Sequence, residues 1–236
     1  MRKISFMRRS GFIAILLLAI SSCAKHDSTS PASKALNPPK VEGVELVTDE
    51  NPTATKASKQ ESKTPKMERV HVVIDENTVA TQDAETIIAP IWSIVNLKSK
   101  ADYNSSLAKL SHGQRLIFAI SLYGAEVDNG GHDQFYFNSS GMVWEDAQEG
   151  FTEIGVTEAA NIIAESAKRM GGRPSFDVKE RRRVLEEKEP NFDDLDDRYY
   201  NLSVDIDARM LDYIRAHPKD FLFDGEIERT PVRDDD

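Results

Sequence analysis

Cysteine is nearly absent: Cys23 is the only one in 236 residues. A single thiol builds neither a disulfide framework nor a cysteine zinc site, so whatever folds downstream is stable by packing alone. Histidine is sparse, five in all, and no His-x-x-x-His pair of the kind that ligates zinc occurs. The Gly-x-Ser-x-Gly elbow of a serine nucleophile is missing, and Asn138-Ser139-Ser140-Gly141 has neither its pattern nor its strand-to-helix context. No apolar run reaches the roughly 20 residues that span a bilayer. Positive charge is short as well, 30 Lys+Arg against 40 Asp+Glu. These shortages weigh against zinc, thiol and serine chemistry, and nothing in the sequence asks for a cofactor or a metal.

The residues that are present are unevenly spread. Residues 1–23 hold Arg2, Lys3, Arg8 and Arg9 and no acid, then the apolar run Gly11-Phe12-Ile13-Ala14-Ile15-Leu16-Leu17-Leu18-Ala19-Ile20 and Ser21-Ser22-Cys23. A basic start, a short apolar core and a small-residue exit read as an export signal. The stretch Leu18-Ala19-Ile20-Ser21-Ser22-Cys23 resembles a bacterial lipobox, which implies lipidation of Cys23 and a membrane-anchored lipoprotein facing the periplasm or the cell exterior. Residues 24–66 hold five of the ten prolines and hardly a large apolar side chain. Such a segment buries too little to offset the entropy of ordering it, and reads as a disordered tether spanning on the order of 35 to 40 Å.

Residues 67–236 carry 19 Lys+Arg and 34 Asp+Glu, a net charge of −15. An acidic body of that kind repels nucleic acid and anionic lipid, and favours basic protein partners. The β-branched run Val70, Val72, Val73, Ile74 reads as an isolated extended segment. Helical spacing follows from Asp83, through Ile87, Ile88, Ile91 and Trp92, with Pro90 marking a kink or a first turn. Ser111-His112-Gly113-Gln114 has the spacing of a capping box and opens a helix over 114–128 that is apolar on most of its circumference, hence buried. Asn129-Gly130-Gly131 ends it. Further helices are expected over 142–154, from Thr157 to Met170, and over 177–188, 191–202 and 203–216, with Phe221-Leu222-Phe223 folding back onto the core. The expected fold is all-α, a single globular bundle of about six to eight helices around that central buried helix.

The polar residues gather where the central helix stops. Glu126 and Asp128 lie in its last turn, where the helix dipole disfavours carboxylates, so both are expected to find partners among the amides of the restarted chain. Gln134, Asn138 and Ser139 are expected to satisfy backbone groups there. His132, near Glu126, Asp128 and Asp133, is where a general base or metal ligand of a hydrolase would sit. No Glu-x-x-His pair supports it, and a solvated hinge histidine is the favoured reading. Asp193-Asp194-Leu195-Asp196-Asp197 lacks the glycine and the terminal glutamate of a calcium loop. Arg181-Arg182-Arg183 is expected to pair with that acidic run or within its own helix.

The pattern Glu126-Val127-x-Asn129-Gly130-Gly131-x-x-Gln134-Phe135-x-x-Asn138-Ser139-x-Gly141, with the Gly155 break and Arg198-Tyr199-Tyr200, resembles the bacterial DNA-mimic protein family over roughly residues 87–223. The resemblance implies an all-helical fold and a non-enzymatic activity, in which an acidic face imitates DNA phosphates and occupies the DNA-binding surface of another protein. Asp193, Asp194, Asp196 and Asp197 are the candidates for that face, since helical carboxylates one turn apart lie about 5 to 6 Å from one another. His132 departs from the family, which has an apolar or aromatic residue there. Export also separates the domain from a cytoplasmic repressor, so the expected partner is a basic protein at the cell envelope. The alternative is a cytoplasmic mimic in a chain that is not exported.

Overall fold

The capping box at Ser111 forms as its spacing predicts. The Ser111 side chain accepts from the Gln114 amide and the Gln114 side chain accepts from the Ser111 amide, each at 3.0 Å. The computed structural model describes residues 67–229; the expected export signal with Cys23, the expected tether over 24–66 and the acidic Asp234-Asp235-Asp236 lie outside the described residues. Among the described residues nine helices follow one another: α1 (Glu76–Thr81), α2 (Ala84–Ile94), α3 (Lys100–Leu107), α4 (His112–Phe137), α5 (Trp144–Glu153), α6 (Thr157–Arg169), α7 (Val178–Lys188), α8 (Asp193–Tyr200) and α9 (Ile206–Ala216). Two 3-10 turns, Ser139–Val143 and Pro218–Phe221, precede α5 and follow α9. None of these helices is long and apolar enough to cross a membrane.

The first half of α4 is the core of the bundle. Leu116, Ile117, Phe118, Ala119, Ile120, Leu122, Tyr123 and Val127 are all buried. Gly150 in α5 lets the two helices approach closely, because a Cβ there would stand 2.9 Å from the Ile120 Cδ1. Pro90 lies inside α2, in its second turn, and the helix continues past it to Ile94. The helix expected over 142–154 divides into the 3-10 turn and α5.

The helices α1 and α3 are not among those expected from the sequence, and the extended segment also differs from its reading. The β-branched run is β1 (Glu68–Ile74), and it is paired: β2 (Phe223–Arg229) runs antiparallel to it from Ile74↔Phe223 to Glu68↔Arg229. The partner, Phe-Asp-Gly-Glu-Ile-Glu-Arg, carries only two large apolar residues amid charges and a glycine, too weak an alternation to announce a strand. Phe221 is buried as expected, while Leu222 is exposed and Phe223 begins the strand.

The decisive feature is a break inside α4. Gly130 (φ −160°, ψ 27°) and Gly131 (φ 69°, ψ −172°) leave helical geometry, and the helix restarts at His132. The Gly131 backbone lies in a region open essentially to glycine alone, and a Cβ on it would collide with the Asp196 carboxyl group. Gly155 also has a positive φ, 76°, but open space beside it. Gly155→Ala therefore carries backbone strain only, about 1 to 2 kcal/mol, whereas Gly131→Ala adds a collision and costs about 3 kcal/mol or more. Urea denaturation of the two variants measures the difference; equal losses would mean that Asp196 does not pack against the break.

Candidate functional site

Two short polar systems hold the broken helix. The first joins its halves. Glu126, 1% exposed, accepts from the Gln134 Nε2 (2.7 Å), the Asn138 Nδ2 (3.0 Å) and the Ser140 Oγ (2.6 Å). A buried carboxyl group is costly without donors, and here three side chains from beyond the break supply them. Asn129 completes the ring by donating to the Gln134 Oε1 at 2.9 Å. The expectation that these polar residues serve backbone groups is thus corrected for Gln134 and Asn138, whose side chains serve Glu126 instead. Ser140 was not singled out from the sequence; its neighbour Ser139 begins the 3-10 turn.

The second system fixes the restarted segment, residues 132–137, at both ends. At its start Asp196 of α8 accepts from the His132 amide (3.0 Å), and the same oxygen faces the His132 Nδ1 at 2.5 Å. At its end Arg181 of α7, fully buried, donates to the carbonyls of Tyr136 (3.0 Å) and Asn138 (2.5 Å), and also to that of Ser175 (2.6 Å). Arg182 donates to the Phe137 carbonyl at 2.8 Å and stacks on the Phe137 ring. An acid at the amino end and guanidinium groups at the carboxyl end both match the helix dipole. Gly141 leaves room for the Arg181 side chain, since a Cβ there would lie 2.6 Å from its Nε. Burial pushes the Arg181 guanidinium down to about 10, so it stays charged at neutral pH.

His132 is therefore not a solvated hinge residue. It is completely buried, with its Nε2 2.7 Å from the Tyr123 hydroxyl and its ring against Phe192. With a proton on Nδ1 the ring donates to Asp196, and its Nε2 meets the Tyr123 hydroxyl. Burial raises the Tyr123 phenol well above its ordinary value, keeping it a donor. Tyr123 in turn meets Phe135, Phe151 and Tyr199 edge to face, at centroid distances of 5.0, 5.7 and 5.4 Å. With both ring nitrogens engaged and no solvent contact, His132 is out of reach of a substrate. Another His and carboxylate group, His112 with Glu149 and Glu153, brings its ligand atoms within 4.8 Å of one another at the surface. Those acids already face Arg115 and Tyr213, at 3.0 and 2.9 Å.

The arginine run separates into two roles. Arg181 and Arg182 serve α4, and only Arg183 pairs within its own helix, with Glu180 and Glu187; none pairs with the α8 acids. Val178, Arg181 and Leu185 share one face of α7, a spacing that could have revealed Arg181 as an inward residue.

The four aspartates of α8 also divide. Asp196 is spent on the break. Asp194 meets Arg169 at 2.5 Å, which holds its carboxyl group down at about 2. Arg169 and Arg198 also share Glu165, tying α6 to α8. Asp193 and Asp197 face solvent, as do Asp128 and Asp133 beside the break. Burial, then the charges of Asp196 and Asp193, raise the Asp133 carboxyl group, so these acids already repel one another.

Residues 108–217 match the family model for DMP19-like protein. The DMP19-like span contains α4 through α9, so the break, Arg181 and the α8 acids all fall inside it, whereas the sheet and α1 to α3 lie outside. The match agrees with the resemblance to the DNA-mimic family carried by residues 126–141. No curated protein and no solved structure matches the chain.

Removing the Glu126 carboxyl group strands three donors within the DMP19-like span. Glu126→Ala should cost about 3 kcal/mol or more, read by urea denaturation, and a loss under 1 kcal/mol would show that the halves hold without it. Asp133 has the opposite sign. A raised carboxyl group contributes stability at acid pH that is lost as pH rises through its folded value. Asp133→Asn should therefore raise the melting temperature slightly at neutral pH and leave it unchanged below about pH 4.

Proposed function

We propose that this chain is a non-catalytic, acidic protein-binding domain of the DNA-mimic kind, tethered through a lipidated Cys23 and engaging a basic protein at the cell envelope. The observation that carries the reading is the coincidence of a DMP19-like span with a net charge of −15 over residues 67–236. The contact face is formed by Asp193 and Asp197 of α8 with Asp128 and Asp133 beside the break. Asp194 stands next to them, partly neutralised by Arg169, and Asp196 acts from beneath by setting the position of α8. Carboxylates displayed on rigid helices offer a basic partner fixed charges, which raises association rate and selects the partner's sign.

Capture from detergent-solubilised envelope with the full chain as bait tests this reading. Exposed charge pairs are worth about 0.2 to 1 kcal/mol each, so Asp193→Asn/Asp197→Asn should weaken binding roughly twofold to thirtyfold, and high salt should weaken it further. A partner retained in both conditions would move the contact away from the acids. Cys23→Ala should release the protein from the membrane fraction. If the unaltered chain is soluble and carries no lipid, the partner is to be sought in the cytoplasm, where inhibition of a DNA-binding protein becomes the reading.

A further inference from the structure

A histidine and two carboxylates from different helices converge at the end of α4 remote from the break, roughly 27 Å along the helix from Gly130. His112 is the first residue of α4, and Glu149 and Glu153 lie one turn apart on α5. Their ligand atoms all lie within 4.8 Å of one another. The helices that carry them are fixed. The capping box holds the start of α4, and the Ser111 hydroxyl donates to the Asp220 carbonyl at 2.7 Å. Gly150, between the two glutamates, packs against Ile120 of α4.

The Glu149 Oε2 accepts from Arg115 at 3.0 Å and the Glu153 Oε2 from the Tyr213 hydroxyl at 2.9 Å, while the Glu153 Oε1 faces the His112 Nε2 at 2.8 Å. A donor on one oxygen of a carboxylate orients the other, as outer donors do around protein-bound metals. Hydrogen bonds from His112 and, against burial, from Tyr213 hold the Glu153 carboxyl group below its ordinary range. The local charge favours a cation. Asp146, Glu149, Glu153 and Asp220 outnumber Arg115, which lies 3.4 Å from Asp146, and His217, which stacks on Tyr213. Asp220 also accepts from the Gly113 amide at 3.4 Å, which offsets the positive end of α4.

We propose that His112, Glu149 and Glu153 bind a zinc ion that joins the start of α4 to α5. One imidazole nitrogen with two carboxylate oxygens is a donor set that zinc accepts, whereas magnesium takes oxygen donors and keeps its waters. Ligands at about 2.0 to 2.2 Å stand about 3.3 Å apart around a tetrahedral ion. The two surface glutamates reach that spacing by side-chain rotation while the helices stay in place. Three protein ligands leave the fourth position to water or to a donor from a partner. The site stands independently of the acidic face described above.

Competition between the metal-free full chain and a chromophoric zinc chelator at neutral pH tests it. The unaltered chain should take up one zinc with a Kd in the micromolar range or tighter. His112→Ala and Glu149→Gln/Glu153→Gln should each weaken uptake by about tenfold or more, whereas His71→Ala, at an exposed histidine of β1, should leave it unchanged. Cys23 is common to all these proteins, so its thiol drops out of the comparison. Zinc should also raise the urea midpoint of the unaltered chain and shift the His112 imidazole resonances, two readouts that do not depend on how well a variant folds. Equal affinities in the unaltered chain and the ligand variants, a comparable loss in His71→Ala, displacement by millimolar magnesium, unmoved His112 resonances, or no uptake below about 0.1 mM zinc would each overturn the proposal.

Discussion

The carboxyl group of Glu126 holds together the two halves of a helix that glycine has broken, and the rest of the domain is arranged around that join. A break in a helix leaves carbonyls on one side and amides on the other without intrahelical partners. Glu126, Gln134, Asn138 and Ser140 bind across the gap through side chains. The exposed backbone ends are met from other elements: Asp196 takes the His132 amide, Tyr200 donates to the Val127 carbonyl at 2.6 Å, and Arg181 gathers the carbonyls at the far end. Packing then follows, since α7 and α8 are placed by the side chains they contribute to α4.

This arrangement separates architecture from surface in a chain where both use the same residue type. Glu126 is buried and Asp196 half-buried, both held at the break, whereas the acids at 128, 133, 193 and 197 lie on the exposed surface. The Asp133 carboxyl group is raised first by its own burial and then by the charges of Asp196 and Asp193. A domain selected only for stability would have no reason to keep them together, and a basic partner that relieves their repulsion would gain affinity from it.

Much of the fold was legible because local signals and burial agreed. The capping box at Ser111, the apolar circumference of α4 and the Asn129-Gly130-Gly131 stop each predict what forms. The strand pairing was not legible, because Phe223 to Arg229 has little β character until Val70 and Val72 lie beside it. The site was half legible. Glu126, Gln134 and Asn138 stood out as polar residues around a break, but whether they bind backbone or one another depends on the angle at which the helix restarts. Arg181 and Asp196 were hidden inside charge runs, where only their helical phase distinguishes an inward residue from its solvated neighbours.

The claim that α8 is held in place by the break is tested most directly by a double-mutant cycle. The full chain, His132→Phe, Asp196→Ala and the combined variant would be unfolded in urea, and the coupling between the two positions extracted. Residues that share one hydrogen-bonded network couple by about 0.5 to 3 kcal/mol, and the account places this pair in the upper half of that range. Losses that simply add would mean that the acidic helix and the broken helix are stabilised independently, which contradicts it.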